Sequence, residues 1–363
     1  MTVMAGGMEA GKVSATARFL RNAWYPALWS EELAVGVLKP TTILGQPLVF
    51  FRKEDGAPAV LMDRCSHRFA PLHMGKILPG DRVQCPYHGL EFGTSGACVR
   101  NPHGKGEISA ANKVASFSVV ERHRILWIWM GQTPADEAQI PDFSVLDTDA
   151  EFAIMKFDRI LVKANYELVT DNLLDLSHTS YLHDGILGNA AMVDSEISIK
   201  PDGDGLTVGR SSSNTPIPGL FAPLFPGHKN VDKWNTIRWS APANMLLRSG
   251  VCEHGSDPES GTGYYGIHLL TPETETTTHY MFTAVRWNIL TDAEANLGIR
   301  ETLTKTRRFA FEDQDAPVIE AQQRRLEAAG GAISPVMLAI DAGPVRYKRI
   351  LQRRLEDEKQ QSL

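Results

Sequence analysis

The sequence predicts an α+β protein of two domains, an all-β domain followed by an antiparallel sheet backed by late helices. Three observations carry that expectation. Up to about residue 132, short β-branched and aromatic runs alternate with Gly, Pro and Asp turns, the pattern of small antiparallel sheets. After a Pro-containing acidic stretch at 133–142, strand-like runs resume and continue to about residue 285. From Ala293 the chain reads as helical, so helices follow the strands rather than alternate with them. The 363 residues suit two domains of about 100–200 residues each.

Taken in order, residues 1–17 contain no apolar signal-peptide core and are expected to form a flexible tail. The first domain is assigned to residues 18–135, with strand-like runs at 42–52, 59–63, 82–85, 116–121 and 125–130. In the last run Trp127 and Trp129 alternate with Leu126 and Ile128, so both faces are apolar and the strand should be buried on both. The second domain, residues 136–363, opens with a strand-like run at 152–162. A helix-like stretch follows from Tyr166 to His183, with Leu168, Leu173, Leu174 and Leu176 available for an apolar face. Further strand-like runs lie at 205–210, 236–240, 245–252, 264–270 and 277–285. Residues 215–227, rich in Pro and Gly, read as a long loop able to cover a pocket. The final helical region should be interrupted near Pro317, Gly330–Gly331 and Pro344.

Composition narrows the function. At 43% hydrophobic and 22% charged the chain can bury a core. Net charge is −6, with Lys and Arg dispersed, so no basic stripe points to nucleic acid or a membrane surface. No run approaches the ~18 apolar residues of a membrane span, and a cytoplasmic location is expected. Four cysteines are too few for a secreted disulfide framework once two are assigned below. Cys98 and Cys252 read as buried apolar residues.

The chemistry is concentrated between Cys65 and Gly89. Cys65-x-His67 and Cys85-x-x-His88 each offer one thiolate and one imidazole. Two Cys on one iron and two His on the other are what a Rieske 2Fe–2S cluster needs. A Cys2His2 zinc site is the rival, but it groups its cysteines in one box and its histidines in another, whereas each box here mixes them. Gly75, Pro79, Gly80, Pro86 and Gly89 suit two turns that present the boxes at loop tips. His73 and His103 lie nearby and read as surface histidines.

A second cluster follows. His178 and His183 would lie roughly 140° apart on an ideal helix at ~100° per residue, so the helix must distort or end between them, for instance through a π-bulge. Asp175 sits one turn before His178 and can reach it. Two His and one carboxylate with open positions suit a non-haem iron that activates O2. Glu312-Asp313-Gln314-Asp315 holds the rival carboxylates for the third place.

The two boxes, with R-F-A-P-L and Y-H-G-L-E-F around them, resemble the oxygenase component of the Rieske non-haem iron oxygenases. The resemblance extends from N-A-W-Y at 22–25, through D-N-x-x-D-x-x-H-x-x-x-x-H at 171–183, to I-D-A-G at 340–343. It is nearest to the vanillate O-demethylase and dicamba monooxygenase branch. It implies a helix-grip, START-like second domain with mononuclear Fe(II) on His178, His183 and Asp315, Asp313 being the alternative. It implies that Asn172 lines the site and that Asp175 bridges to His67 or His88 of a neighbouring chain in a head-to-tail homotrimer. It further implies electron delivery by a separate NAD(P)H-dependent reductase or ferredoxin, and O2-dependent demethylation of a methoxylated aromatic acid with release of formaldehyde. For the substrate carboxylate, His268, in the family-like H-L-L-T-P-E-T-E stretch, is the leading donor, with Arg238 and Arg248 as alternatives. N-demethylation, methyl hydroxylation, ring hydroxylation or an electron-carrier role are the other readings.

Overall fold

The computed structural model describes residues 19–330 and 332–361; the expected tail over 1–17 lies outside them. Among the described residues the N-terminal domain holds β1 (Trp24–Trp29), β2 (Lys39–Ile43), β3 (Gln46–Arg52), β4 (Pro58–Met62), β5 (Lys76–Leu78), β6 (Arg82–Gln84), β7 (Glu91–Phe92), β8 (Cys98–Arg100), β9 (Val119–Arg122) and β10 (Ile125–Trp129). They form three antiparallel sheets, β1-β10-β9, β2-β3-β4 and β5-β6-β7-β8, as an all-β domain should. The run at 42–52 is two strands, not one: Leu44 and Gly45, at φ 51° and 73°, turn the chain between β2 and β3. Positive φ at both turn positions matches the twist of a tight hairpin.

The second domain contains β11 (Asp158–Val162), α1 (Tyr166–Leu174), β12 (Glu196–Asp202), β13 (Gly205–Pro216), β14 (Asn230–Ser240), β15 (Asn244–Cys252), β16 (Thr262–Pro272), β17 (Thr278–Arg286), α2 (Ala293–Arg308), α3 (Ala316–Ala328) and α4 (Ala342–Gln361). Its seven strands form one antiparallel sheet in the order β11-β17-β16-β15-β14-β13-β12. One face packs on the helices: Leu206, Val208, Ile237 and Trp239 share a core with Leu173 and Leu174 of α1 and Tyr347 and Leu351 of α4.

The interruption expected near Pro317 is present just before it, whereas Pro344 lies in the first turn of α4, where a missing N–H is tolerated. Pro317 follows directly on a helical turn that runs into α3 without a break. The interruption is a π-helical turn, Phe309–Asp315, between α2 and α3. Gly330, at φ 56°, terminates α3 as expected.

Two segments are more firmly held than their composition suggests. In the acidic linker Ile140, Phe143 and Leu146 are buried among Trp24, Trp29 and Trp127 of the first domain and Ile267, Leu269 and Met281 of the second. The linker is therefore a wedge between the domains. In the 215–227 loop Leu220, Phe221 and Leu224 are buried against Tyr264, Ile299 and Leu303, which pins the loop to the sheet. No helix among the described residues is long and apolar enough to cross a membrane.

Candidate metal centres

The two Cys/His boxes fold as matching loops. Cys65 N–H donates to the Ala70 carbonyl and Phe69 N–H to the Cys65 carbonyl, both at 2.9 Å; Cys85 N–H donates to Leu90 at 2.8 Å and Gly89 N–H to Cys85 at 3.1 Å. The residue four after each cysteine has positive φ, Phe69 at 61° and Gly89 at 69°. Both thiols are buried, while His67 is exposed and His88 half-buried, and the imidazole rings meet edge to face at 4.6 Å. Burial pushes the Cys65 thiol up to about 11, with Cys85 beside it adding to the rise. Coordinated iron is a local positive charge that would hold both as thiolates. Two soft donors at depth and two imidazoles at the rim fit a 2Fe–2S cluster.

Neighbouring side chains brace these loops. His103 Nε2 lies 2.7 Å from the His88 carbonyl, and His73 Nδ1 lies 2.5 Å from Asp63 Oδ2. His103 is exposed, as a surface histidine should be, and His73 half-buried; both also tie loops together. Glu91 is buried at 1% exposure and pairs with Arg82 at 2.6 Å and Arg100 at 2.7 Å, joining β6, β7 and β8 beneath the second loop.

The second centre arises where α1 ends. The helix stops at Leu174, before either histidine, and Asp175 is its C-cap at ψ 87°. No bulge forms between His178 and His183. His178 instead starts a short 3-10 turn, His178–Ser180, and this path brings both rings together with centroids 5.1 Å apart. The π-helical geometry appears across from them, in the segment carrying Asp315. Ligand atoms of His178, His183 and Asp315 lie within 4.8 Å of one another. Of the two candidate carboxylates it is the buried Asp315 that lies beside the histidines, while Asp313 is exposed.

Second contacts orient these donors. His183 Nδ1–H donates to Gln314 Oε1 at 2.8 Å, and His178 Nδ1–H donates to the backbone carbonyl of Asp175. Each Nε2 is thereby left as the lone-pair donor toward Asp315, the arrangement metal-ligating histidines use. The expected bond from the Asp175 carboxylate to His178 is not formed. That carboxylate caps Ser177 N–H at 2.9 Å, because leaving the helix at Leu174 turns the Asp175 carbonyl, rather than its side chain, toward the ring. Asn172 donates to Asp315 Oδ1 at 3.1 Å, so it does line the centre. Burial holds the His178 pKa below its usual range against the pull of Asp315. Burial also opposes charge on His183, but Asp315 and Gln314 outweigh it and raise its pKa. Two imidazoles and one carboxylate at a buried point fit a two-His, one-carboxylate iron site.

Of the candidate carboxylate donors, the sheet sorts them by alternation. Arg238 donates to the Asp142 carbonyl and Arg248 pairs with Glu259 at 2.7 Å; both lie on the face away from the helical core. His268 lies on the inward face. It is fully buried, with Nδ1 2.6 Å from Tyr280 Oη and Nε2 unpartnered among the described residues. Burial, reinforced by Arg307, keeps it neutral. Sequence reasoning passed over Gln314, Arg210 and Lys233. Lys233 had a readable signal: it shares its strand face with Val231, Ile237 and Trp239, an inward register for a charged residue.

Comparison with known proteins agrees with this geometry. Residues 23–118 match the Rieske [2Fe-2S] domain and residues 162–357 the vanillate O-demethylase oxygenase C-terminal domain. The chain is 38% identical to the dicamba O-demethylase oxygenase component of Stenotrophomonas maltophilia, over 92% of this chain and 97% of that one. It belongs to the Rieske oxygenases. As such it is an oxygenase component, an oxidoreductase whose cofactors are a 2Fe–2S cluster and non-haem iron. This Rieske oxygenase is also 35% identical to the chloroacetanilide N-alkylformylase oxygenase component of Rhizorhabdus wittichii, over 94% and 97%. Its fold matches the crystal structure of dicamba monooxygenase bound to 3,6-dichlorosalicylic acid, with TM-score 0.86, 36% identity, and coverage of 94% and 99%.

Proposed function

We propose that this Rieske oxygenase removes a methyl group from a methoxylated aromatic acid of the vanillate type. The observation that carries the reading is the convergence of His178, His183 and Asp315, with ligand atoms within 4.8 Å, in a chain that also carries the paired Cys/His loops. We assign the mononuclear Fe(II) to those three residues and the cluster to Cys65, His67, Cys85 and His88. When bound, the cluster supplies electrons one at a time and the iron supplies O2 activation. The protein's own groups do the positioning. Gln314 and the Asp175 carbonyl fix the tautomers of the two histidines. Asn172 steadies the Asp315 carboxylate. The neutral, unpartnered Nε2 of His268 is a donor or acceptor for a polar group of the substrate. The balanced reaction is ArOCH3 + O2 + 2e⁻ + 2H⁺ → ArOH + HCHO + H2O, passing through a hydroxymethyl ether that collapses to the phenol.

The electrons come from a separate NAD(P)H-dependent reductase or ferredoxin, and we place the system in the cytoplasm with that partner. Chains assemble as a head-to-tail trimer in which Asp175, half-buried, meets His67 or His88 of the adjacent chain. N-dealkylation is the second reading, favoured by the 35% identity to an N-alkylformylase component. The test supplies a matching reductase and NADH and screens methoxybenzoates against N-methyl anilides for formaldehyde release. Release from the ethers alone supports O-demethylation; release from the anilides alone replaces it. The same preparation should contain about three irons and two sulfides per chain; two irons would indicate a carrier.

A further inference from the structure

Four lysine and arginine side chains are buried among the described residues: Arg210, Lys233, Arg286 and Arg307. Three of them place their terminal nitrogens on protein acceptors. Arg210 reaches Leu176, Thr179, Ser180 and Met192. Lys233 reaches Trp234, Asn235 and Ser249. Arg286 reaches Asn296 at 3.3 Å and Asn288 at 3.2 Å. Arg307 is the exception. It is 4% exposed, its Nη2 is buried without a partner, and it forms no hydrogen bond or salt bridge among the described residues. Asp158 acts on it only from a distance and is already paired with Arg308 at 3.0 Å and Lys156 at 3.2 Å. Around the guanidinium are rings instead: its central carbon lies 5.6 Å from the ring centres of both Tyr264 and Phe311. Ring faces offset only part of the loss of water. Buried N–H donors with no acceptor carry a full desolvation penalty, which an arriving acceptor would relieve.

The place of Arg307 says where that acceptor belongs. Arg307, Phe311 and Asp315 follow at four-residue steps along α2 and the π-helical turn, and all three are buried. At that spacing they form one stripe. The sheet opposite contributes Tyr264, Gly266 and His268 from one face of β16 and Tyr280 from β17. The His268 and Tyr280 rings stand 5.5 and 5.4 Å from Phe311. A Cβ on Gly266 would come within 2.9 Å of His268 Nε2. That unpartnered nitrogen therefore leans over Gly266, on the side of Tyr264 and the guanidinium stacked upon it. Burial holds the proton on the Tyr280 phenol, with Arg307 opposing and Asp315 adding to the effect. The phenol is hydrogen-bonded to His268 Nδ1, so it donates there and Nε2 carries the ring proton. Two sets of N–H donors, one of them cationic, face the same space, and the phenol beside it senses both Arg307 and Asp315.

We propose that Arg307 is a specificity-determining residue: with the Nε2–H of His268 it clasps the carboxylate of the aromatic substrate over Gly266. The proposal rests on the preceding reading that the substrate is an acid, and deepens it by naming the residue that selects for the charge. Arg307 and Asp315 stand roughly 12 Å apart along the stripe at ~1.5 Å per residue. The carboxylate and the ether of one benzoate can thus face one each, with Phe311 as an apolar wall for the ring. Arg307 is a ligand of neither metal centre, so its loss should spare both.

The test compares Arg307→Met with wild type, both iron-loaded and cluster-containing. Calorimetry uses 3-methoxybenzoate and its neutral isostere 3-methoxybenzamide, and wild type should prefer the acid. Arg307→Met should bind the acid roughly 10–100-fold more weakly, the worth of a hydrogen bond to a charged group. It should bind the amide within a few-fold of wild type and keep its iron content and cluster spectrum. Arg307→Lys should recover part of the preference. Thermal unfolding without ligand distinguishes binding from scaffolding. Loss of a buried charge that has no partner should leave Arg307→Met at least as stable as wild type, whereas loss of a scaffold arginine would lower the melting temperature. Equal acid affinity in Arg307→Met and wild type overturns the clasp, as does a wild type that prefers the amide. A variant that fails to fold, or melts well below wild type, marks the arginine as structural and overturns it too. Formaldehyde release separates the clasp from the reaction. Release from the acid with an unchanged KM in Arg307→Met leaves O-demethylation standing and removes the clasp. Arg307-dependent binding of the acid, without formaldehyde from any methoxybenzoate in wild type, supports the clasp and removes O-demethylation.

Discussion

The two metal centres of this chain are built on opposite principles. The proposed cluster site draws its four donors from two neighbouring loops, one after β4 and one joining β6 to β7, each closed by its own backbone hydrogen bonds. The mononuclear site joins a loop after α1 to the end of a π-helical turn, and 132 residues separate His183 from Asp315. The first is a local device, closed and braced within residues 63–103. The second exists only when the whole second domain has packed. Damage far from the iron should therefore reach the mononuclear site more readily than the cluster.

The largest expected effect comes from removing a mononuclear ligand. Asp315→Ala, like His178→Ala or His183→Ala, should abolish turnover and mononuclear iron while leaving the cluster's visible spectrum and acid-labile sulfide unchanged. Iron analysis decides it: full mononuclear iron in Asp315→Ala with loss in Asp313→Ala would move the third ligand to Asp313.

Next in size is the link proposed between the centres of neighbouring chains. Asp175→Asn should fold, load both cofactors and reduce its cluster normally, yet slow single-turnover cluster reoxidation at least ~10-fold, since a charge-assisted bond is about twice as strong as a neutral one. Wild-type reoxidation in this variant, or a monomer as fast per chain as the assembly, would remove the bridging role.

A smaller change should follow from Gln314→Leu, which takes the partner from His183 Nδ1–H. Iron affinity should fall by about 10–100-fold, read by chelator competition, with the cluster untouched. The smallest effect should fall on the cluster side. Glu91→Gln should lower stability by about 1–3 kcal/mol, because Glu91 is buried but its arginine partners are partly solvated. Thermal unfolding followed at the cluster absorption would report it, with the spectrum at 25 °C unchanged.

How much of this was legible in the sequence follows the same division. The grouping of Cys65, His67, Cys85 and His88 was readable from spacing because the loops that carry them are short. His178 and His183 were readable as a pair, but not their geometry: α1 ends earlier than the apolar pattern suggests, and the π-turn lies in the other segment. Trp24–Trp29 of β1 is buried at every position, so no alternation marked it. Residues 133–142 read as a domain boundary from their Pro and acidic content, and nothing there signalled the burial of Ile140, or of Phe143 and Leu146 just beyond, which depends on two domains closing on them. Lys233 and Arg210 escaped notice because an isolated cation in a strand reads as solvent-facing until the register of its neighbours is known.

That wedge of Ile140, Phe143 and Leu146 also limits how the protein can be taken apart. Trp29 Nε1 donates across the boundary to the Asp158 carbonyl at 3.0 Å, and Thr271 Oγ1 returns the favour to Pro26 at 2.6 Å. Cutting the chain near residue 135 would strip a cluster of tryptophans of its cover and leave a sticky apolar face. The electron-accepting half is thus not an interchangeable cassette. Grafting it onto another oxygenase, or expressing it alone as a small carrier, calls for redesign of that face.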